Sequence, residues 1–248
     1  MFKLNFYILL TLTAISCASQ PKGEYSESKI ERPYNLPYDV AKFSFGAEYS
    51  IDKVSEPIEE LGDADTLESG YPFITAENGW LDRFSWIFPL GFRWNILKTD
   101  TQDFGISAYT SFFITHFSID YWYEFHWLMS FRPYYRSKQV KAVLFESSRD
   151  ALGIELVYQF TKKFAFSPRY ELGRYSVDSN FIEQVFEENF EVRPELYNDG
   201  LLSSYGLEVL YSISDAWDVV LLGEQDLVQF SDYDLRTTKL SLTFSFFY

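Results

Sequence analysis

The last ten residues of the chain read KLSLTFSFFY, from Lys239 to Tyr248. Their large apolar residues fall on alternate positions, which is the period of a β-strand and not that of a helix. One face of this strand is therefore apolar, and it carries Leu240, Leu242, Phe244, Phe246 and Tyr248. In water such a final strand would be an adhesive sheet edge. In a bilayer its apolar face would meet lipid and its small, polar face would line a lumen.

This ending resembles the C-terminal strand of bacterial outer-membrane β-barrel proteins. The resemblance implies that Phe244, Phe246 and Tyr248 form the signal that the barrel-assembly machinery reads. It also implies a location in the bacterial outer membrane, where the partners would be the membrane lipids and lipopolysaccharide.

The beginning of the chain predicts a secretory signal peptide over residues 1–18. Lys3 precedes a short apolar run that ends in small residues, and this run is too short to span a bilayer as a helix. Cys17 is the single cysteine, and two cleavages remain open for it. Cleavage after Ala18 would remove Cys17, whereas a loose lipoprotein box at residues 14–17 would leave it as a lipidated N-terminus. The proline-rich and charged residues 19–39 are predicted to form a periplasmic linker.

The composition agrees with a membrane barrel. Aromatic residues make up 20% of the chain, with 25 Phe, 19 Tyr and 6 Trp, although the net charge is −15. Phenylalanines facing lipid and tyrosines and tryptophans at the two interfaces account for such a content. The acidic balance argues against nucleic acid as a partner, because nucleic-acid binding needs basic surfaces.

Alternating stretches predict an antiparallel up-and-down barrel of ten strands over residues 40–248, with eight or twelve strands as alternatives. An even count places both ends of the barrel in the periplasm and makes residues 52–82 and 176–200 extracellular loops. A soluble β-sandwich would alternate in the same way and is the competing fold. The ten predicted strands are 41–51, 84–96, 104–115, 120–132, 139–146, 152–160, 164–172, 203–213, 217–228 and 239–248.

The same alternation turns a set of charged and polar residues toward the lumen. Glu155, Glu171, Glu208 and Glu224 lie on adjacent predicted strands, and Arg169 is the nearest predicted base. These charges form either a salt-bridged network that fills the barrel or the lining of a narrow path that prefers cations. The predicted lumen network comprises Arg93, Glu124, His126, Glu155, Arg169, Glu171, Glu208, Glu224 and Lys239.

One short motif suggests catalysis. His116-Phe117-Ser118 resembles the His-x-Ser motif of the barrel lipid A deacylases, which implies His116 as base, Ser118 as nucleophile and Glu124 as the group that orients His116. Ile119 stands where that family has Asn, and the family has fewer strands. The omptin proteases need an Asp-His pair, and the sequence holds no Asp-x-His. No phosphate loop, zinc-ligand spacing or nucleophile elbow appears, so no cofactor or metal is expected.

These observations predict a non-enzymatic outer-membrane barrel that serves a structural role or narrow, cation-preferring transport. Two alternatives remain open. One is a lipid-modifying hydrolase that uses His116 and Ser118. The other is a surface-binding or adhesion barrel that uses the acidic segments 52–82 and 176–200.

Overall fold

The computed structural model describes residues 26, 28–29, 34–54, 66–110, 114–126, 128–141, 146–178, 199–231 and 234–248. Twelve antiparallel strands form one closed barrel, in which each strand pairs with its sequence neighbours and β1 pairs with β12. Within this part of the chain, no helix is long and apolar enough to cross a bilayer. The strands are β1 (Ala41–Val54), β2 (Thr66–Leu81), β3 (Phe84–Phe88), β4 (Leu90–Lys98), β5 (Gln102–Thr110), β6 (Ile114–His126), β7 (Met129–Lys141), β8 (Glu146–Thr161), β9 (Phe164–Asp178), β10 (Gly200–Ser214), β11 (Trp217–Gln229) and β12 (Asp234–Phe247).

The predicted antiparallel up-and-down barrel is confirmed, but the count of ten strands is wrong and the alternative of twelve is right. Residues 66–81 form β2 and do not belong to a loop over residues 52–82. Their alternation was hard to see because Gly70 and Pro72 interrupt the apolar pattern. The predicted strand 84–96 is in fact β3 and β4, because the chain reverses at Pro89, a residue that cannot donate to a strand ladder.

The two ends of the barrel differ. Tyr248 pairs with Ala41 at the end that also carries the tight turns at residues 82–83, 162–163 and 215–216. Most of the predicted loop 176–200 lies outside the described residues, since β9 reaches Asp178 and β10 begins at Gly200. The predicted strand 139–146 is not a separate strand, because β7 extends from Met129 to Lys141.

The side chains of the barrel alternate between a large apolar outer face and a polar inner face. On β8, Leu152, Ile154 and Leu156 are exposed on the outside, whereas Ala151 and Glu155 are buried inside. Aromatic rings pack against one another along the outer face, as Phe45 does on Phe244 with 5.5 Å between ring centroids. This arrangement is the reverse of a water-soluble β-sandwich and is the one expected for a sheet that closes on itself in lipid.

Of residues 19–39, which were predicted to form a periplasmic linker, the structure describes 26, 28–29 and 34–39, and these are called the N-terminal segment. Leu36 of this segment is buried, and it packs with Val40 on Phe247. The Gly79 amide donates to the Val40 carbonyl at 2.8 Å, and a Cβ on Gly79 would lie 1.8 Å from the Pro37 carbonyl oxygen. Prolines and charges indicate a polar environment. A barrel lumen supplies such an environment as well as bulk solvent does.

Candidate functional site

The residue that joins the N-terminal segment to the barrel wall is Lys29. Its ammonium donates hydrogen bonds to Glu155 Oε1 at 2.8 Å, Ser167 Oγ at 2.7 Å and Glu208 Oε1 at 2.8 Å. Its backbone amide donates to Gln159 Oε1 at 2.9 Å. Lys29 is only 7% exposed, so both carboxylates bind a lysine that is shielded from solvent.

Glu155 also binds a base from the wall itself. Nη1 of Arg132 lies 3.3 Å from Glu155 Oε2, and the Arg132 guanidinium carbon lies 3.5 Å from the centre of the Trp122 ring. Buried carboxylates need such partners because an unpaired buried charge is costly. Glu155 is therefore neutralised from two directions, by Lys29 and by Arg132.

A second cluster of charges is centred on Arg149. Its Nη1 donates to Asp226 Oδ2 at 2.8 Å and to Glu224 Oε1 at 3.2 Å, and its Nη2 donates to Glu171 Oε2. Arg149 thus connects β8 to β9 and β11. The sequence prediction missed this residue because it falls between the predicted strands 139–146 and 152–160. The sequence did contain a signal for Arg149. It lies six positions before the lumen-facing Glu155, and residues separated by an even number of positions on a strand face the same side.

Further bases complete this cluster. Arg169 donates to Glu224, and the Lys239 ammonium lies 2.6 Å from Asp226 Oδ2. Glu171 accepts a hydrogen bond from the Tyr134 hydroxyl at 2.7 Å. The expectation that Arg169 is the nearest base to four glutamates is therefore incomplete. The structure supplies Arg149, Lys239 and Lys29 in addition, and these residues come from two other strands and from the N-terminal segment.

Tyr34 holds the N-terminal segment against the opposite wall. Its hydroxyl donates to Asp120 Oδ2 at 3.0 Å, and its carbonyl oxygen accepts from Nη1 of Arg93 at 3.2 Å. Burial and the neighbouring Asp120 carboxylate raise the pKa of Tyr34 above its ordinary value, so the hydroxyl remains a donor. Gly105 makes room for the ring, because a Cβ there would lie 2.2 Å from it.

The structure does not assemble the three predicted catalytic residues. His116 and Ser118 lie on β6, where the His116 ring stacks on Tyr109 with 4.9 Å between centroids. The Ser118 hydroxyl donates to Asp120 Oδ2 at 2.7 Å. Glu124 lies eight residues from His116 on the same strand, which is roughly 26 Å away along the strand axis. Glu124 is therefore too far to orient the His116 imidazole as the resemblance implied.

His126 also differs from its predicted position in the lumen network. A register shift between Glu124 and His126 interrupts the alternation. As a result His126 is exposed at the β6–β7 turn, where its Nδ1 accepts the Leu128 amide at 3.2 Å. Over the described ranges, no group of three or more His, Cys, Asp and Glu side chains is arranged to hold a metal ion.

The residues of the implied assembly signal lie at the seam where the barrel closes. Phe244 stacks on Phe45 of β1, and Phe246 packs on Trp217 with 4.7 Å between centroids. The Tyr248 carbonyl accepts the Ala41 amide at 2.8 Å. The C-terminal strand therefore provides one of the two strands that close the sheet.

Two cavities in the lumen each have more lysines and arginines than carboxylates in their lining. A cavity of about 460 Å³ lies beside Lys29, Tyr34 and Asp120. A second cavity of about 200 Å³ is lined by five bases and three acids. The bases are Arg136, Lys138, Arg149, Arg169 and Lys239, and the acids are Glu48, Glu171 and Glu224. The surplus of acid expected for a cation-preferring path is therefore not found around this cavity.

A closed antiparallel barrel with an apolar outer face and a polar lumen is the architecture of bacterial outer-membrane proteins, because closure pairs the first strand of the sheet with the last. The resemblance inferred from the C-terminal strand is confirmed at this level. The protein is accordingly an outer-membrane β-barrel.

No protein-family model matches the sequence, and no curated protein sequence matches it. Among solved structures, Neisserial surface protein A (NspA) is similar over 82% of this chain and 96% of its own, with 14% identity and a TM-score of 0.35. The porin NanC matches 84% of this chain and 98% of its own, with 10% identity and a TM-score of 0.40. The outer membrane protease OmpT from Escherichia coli matches 84% of this chain and 96% of its own, with 8% identity and a TM-score of 0.38.

Proposed function

We propose that this protein is a non-enzymatic outer-membrane barrel whose lumen is closed by its own N-terminal segment and by interior ion pairs. It would act as a structural protein of the cell envelope and not as an open channel. The observation that carries the proposal is the position of Lys29, which binds Glu155 on β8 and Glu208 on β10 from inside the lumen.

The pairing of the interior charges also favours a closed lumen. Glu155, Glu171 and Glu224 each lie within 4 Å of at least two bases. A path that prefers cations would need carboxylates that remain available to a passing ion. Here the carboxylates are occupied by fixed lysines and arginines, so cation attraction inside the barrel is weak.

The test is the conductance of the purified protein in planar lipid bilayers. We expect no resolved current steps for the native chain. A variant lacking residues 19–34 should show them, because it loses both Lys29 and Tyr34 but keeps Leu36 and Val40 at the seam. Lys29→Met is a milder variant that keeps the length of the segment, and we expect brief openings from it. Native protein that conducts as the truncated variant does would contradict the proposal.

The narrow, cation-preferring path is the competing transport proposal, and the same recordings address it. It predicts a steady current in the native chain, with a reversal potential in a KCl gradient that shows cation preference. Glu171→Gln combined with Glu208→Gln should then reduce that preference. The closed barrel predicts no current before or after these two changes.

The remaining alternatives have their own measurements. If the protein is a lipid-modifying hydrolase, its expression should change the mass of lipid A, and Ser118→Ala should abolish this change. A surface-binding barrel predicts attachment that depends on residues 55–65 and 179–198, both of which lie outside the described residues.

A further inference from the structure

The strands on one side of the barrel are short. Strand β3 has five residues and β4 has nine, whereas their neighbour β2 has 16. Strand β2 pairs with β3 only through Ala76 to Leu81. In the described part of the chain, residues 66–75 pair with β1 alone. Among the described residues, an opening therefore lies beside residues 66–75, above the β3–β4 turn at Pro89.

The lower part of this opening is at the depth of the lipid-facing surface. Ile74 pairs with Phe45 and Pro72 pairs with Ala47, both on the apolar face of β1. Phe88, at the tip of the short hairpin, is 68% exposed. Backbone without a partner is stable at membrane depth only where it faces protein or a polar cavity. Pro72 fits such an edge because it has no amide hydrogen to leave unpaired.

A cavity of about 430 Å³ occupies this opening and has a different character at its two ends. Its lipid side is lined by Ile74 and Phe88, which are both exposed, and its lumen side by Lys42, Arg93 and Lys138. An apolar end in contact with lipid and a charged end in the lumen form an amphipathic cavity. The natural ligand for such a shape is a molecule with a hydrocarbon chain and a polar head.

The charges at the inner end determine which head would bind. Three bases line the cavity against two carboxylates, Glu48 and Glu77. Glu77 is paired with Arg93 at 3.3 Å, and Glu48 accepts the Tyr71 hydroxyl at 2.9 Å. Lys138 has no ion pair within the described residues. The lining therefore holds one more base than acid, and the inner end has a net positive charge.

We propose that this lateral opening binds an anionic lipid from the surrounding membrane. One acyl chain would lie along Ile74 and Phe88, and the acidic headgroup would reach Lys138. The proposal goes beyond the closure of the lumen by the N-terminal segment. It assigns a lipid-binding site to the side of the barrel, and it does not require the lumen to conduct.

Native mass spectrometry of the full chain in detergent tests this proposal. The probes are phosphatidylglycerol, which is anionic, and phosphatidylcholine of the same acyl length, which is neutral overall. We expect one phosphatidylglycerol to remain bound at a collision energy that removes phosphatidylcholine. Lys138→Gln should lower the bound fraction at least fivefold. Lys162→Gln, at an exposed turn, is the matched control and should leave it unchanged.

A second pair of variants tests the route of the acyl chain. Ala76→Trp places a large ring in the cavity and should reduce lipid retention, whereas Ala108→Trp adds the same ring to the outer face of β5 outside the cavity lining. Folding of each variant is checked by its heat-modifiable mobility in gels. Equal retention of the two lipids, or no effect of Ala76→Trp, would overturn the lateral site. Because conductance is not measured here, an open lumen would leave this result intact.

Discussion

The two sides of the barrel are built differently. The network wall, β7 to β12, consists of strands of 13 to 16 residues, and it carries the Arg149 cluster. The plug wall, β2 to β6, includes strands of five and nine residues, and it holds Tyr34. The network wall is stabilised by long ladders and ion pairs. The plug wall has shorter ladders and contacts the N-terminal segment through Tyr34, whereas Lys29 of the same segment binds the network wall. The comparison shows that the segment is anchored to both walls, although the Arg149 cluster lies on one of them.

The largest expected effect concerns the seam that joins the two walls. Deleting Phe246–Tyr248 removes Phe247, which packs on Leu36 and Val40, and it removes the carbonyl that accepts the Ala41 amide. We expect complete loss of assembly in the outer membrane, measured as loss of heat-modifiable protein in membrane fractions. Tyr248→Phe keeps the aromatic ring and the backbone, and it should assemble normally. Folded, embedded protein after the deletion would show that β1 and β12 do not need this end of the seam.

A smaller but still large effect is expected in the network wall. Arg149→Ala leaves Glu171, Glu224 and Asp226 without their shared base, and breaking a buried ion pair in this way typically costs about 3–5 kcal/mol. Arg174→Ala, on the exposed face of β9, should cost only about 0–1 kcal/mol. The measurement is the free energy of unfolding by guanidinium in lipid vesicles. Similar costs for the two variants would mean that the cluster contributes no more than a surface pair.

The outer faces of the two walls should respond differently to charge. Leu156 lies in the middle of β8, and arginine there should cost about 2–4 kcal/mol because it faces the lipid core. Phe88 ends the short strand β3 beside the lateral opening, so arginine there should cost less than half as much. Refolding titrations of both variants measure the two losses in folding free energy, and their ratio tests this expectation. Equal costs would indicate that an arginine at position 88 does not reach the polar lumen through the opening.

The smallest expected effect concerns the contact between Gly105 of the plug wall and the Tyr34 ring. Gly105→Ala brings a Cβ to within 2.2 Å of the Tyr34 ring, and overpacking of this kind typically costs about 1–3 kcal/mol. Gly223 has no atom within 4 Å of a built Cβ, so Gly223→Ala should change the free energy of unfolding by no more than about 0.5 kcal/mol. If the two changes are equivalent, Tyr34 does not pack on Gly105 in solution.

The same contrast explains which parts of the fold were predictable. On the network wall, strands such as 152–160 and 164–172 were visible as regular alternation, since each residue there faces either lipid or a polar lumen. On the plug wall, Pro89 reverses the chain inside an apolar run, and nothing in the period of residues 84–96 marks that reversal. Strand β2 was hidden for the related reason that an edge segment tolerates Gly70 and Pro72.

The residues of the candidate site also fall into those that the sequence pattern could have identified and those that it could not. Arg149 was missed only because its strand begins earlier than the apolar pattern does, so a longer strand would have included it. Lys29 could not have been placed by any pattern, because it lies 126 residues from Glu155 in the chain. The distance between His116 and Glu124 needed only the knowledge that both lie on one strand, and the predicted strands had separated them.

The sequence by itself determined the class of fold, the closing strand and the face on which most side chains lie. These properties follow from local alternation and from the need of each strand to satisfy both lipid and lumen. Only the tertiary structure decided the number of strands, the entry of Lys29 and Tyr34 into the lumen and the lateral opening beside β2. These features depend on which distant segments meet, and contacts between distant segments leave no periodic trace in the sequence.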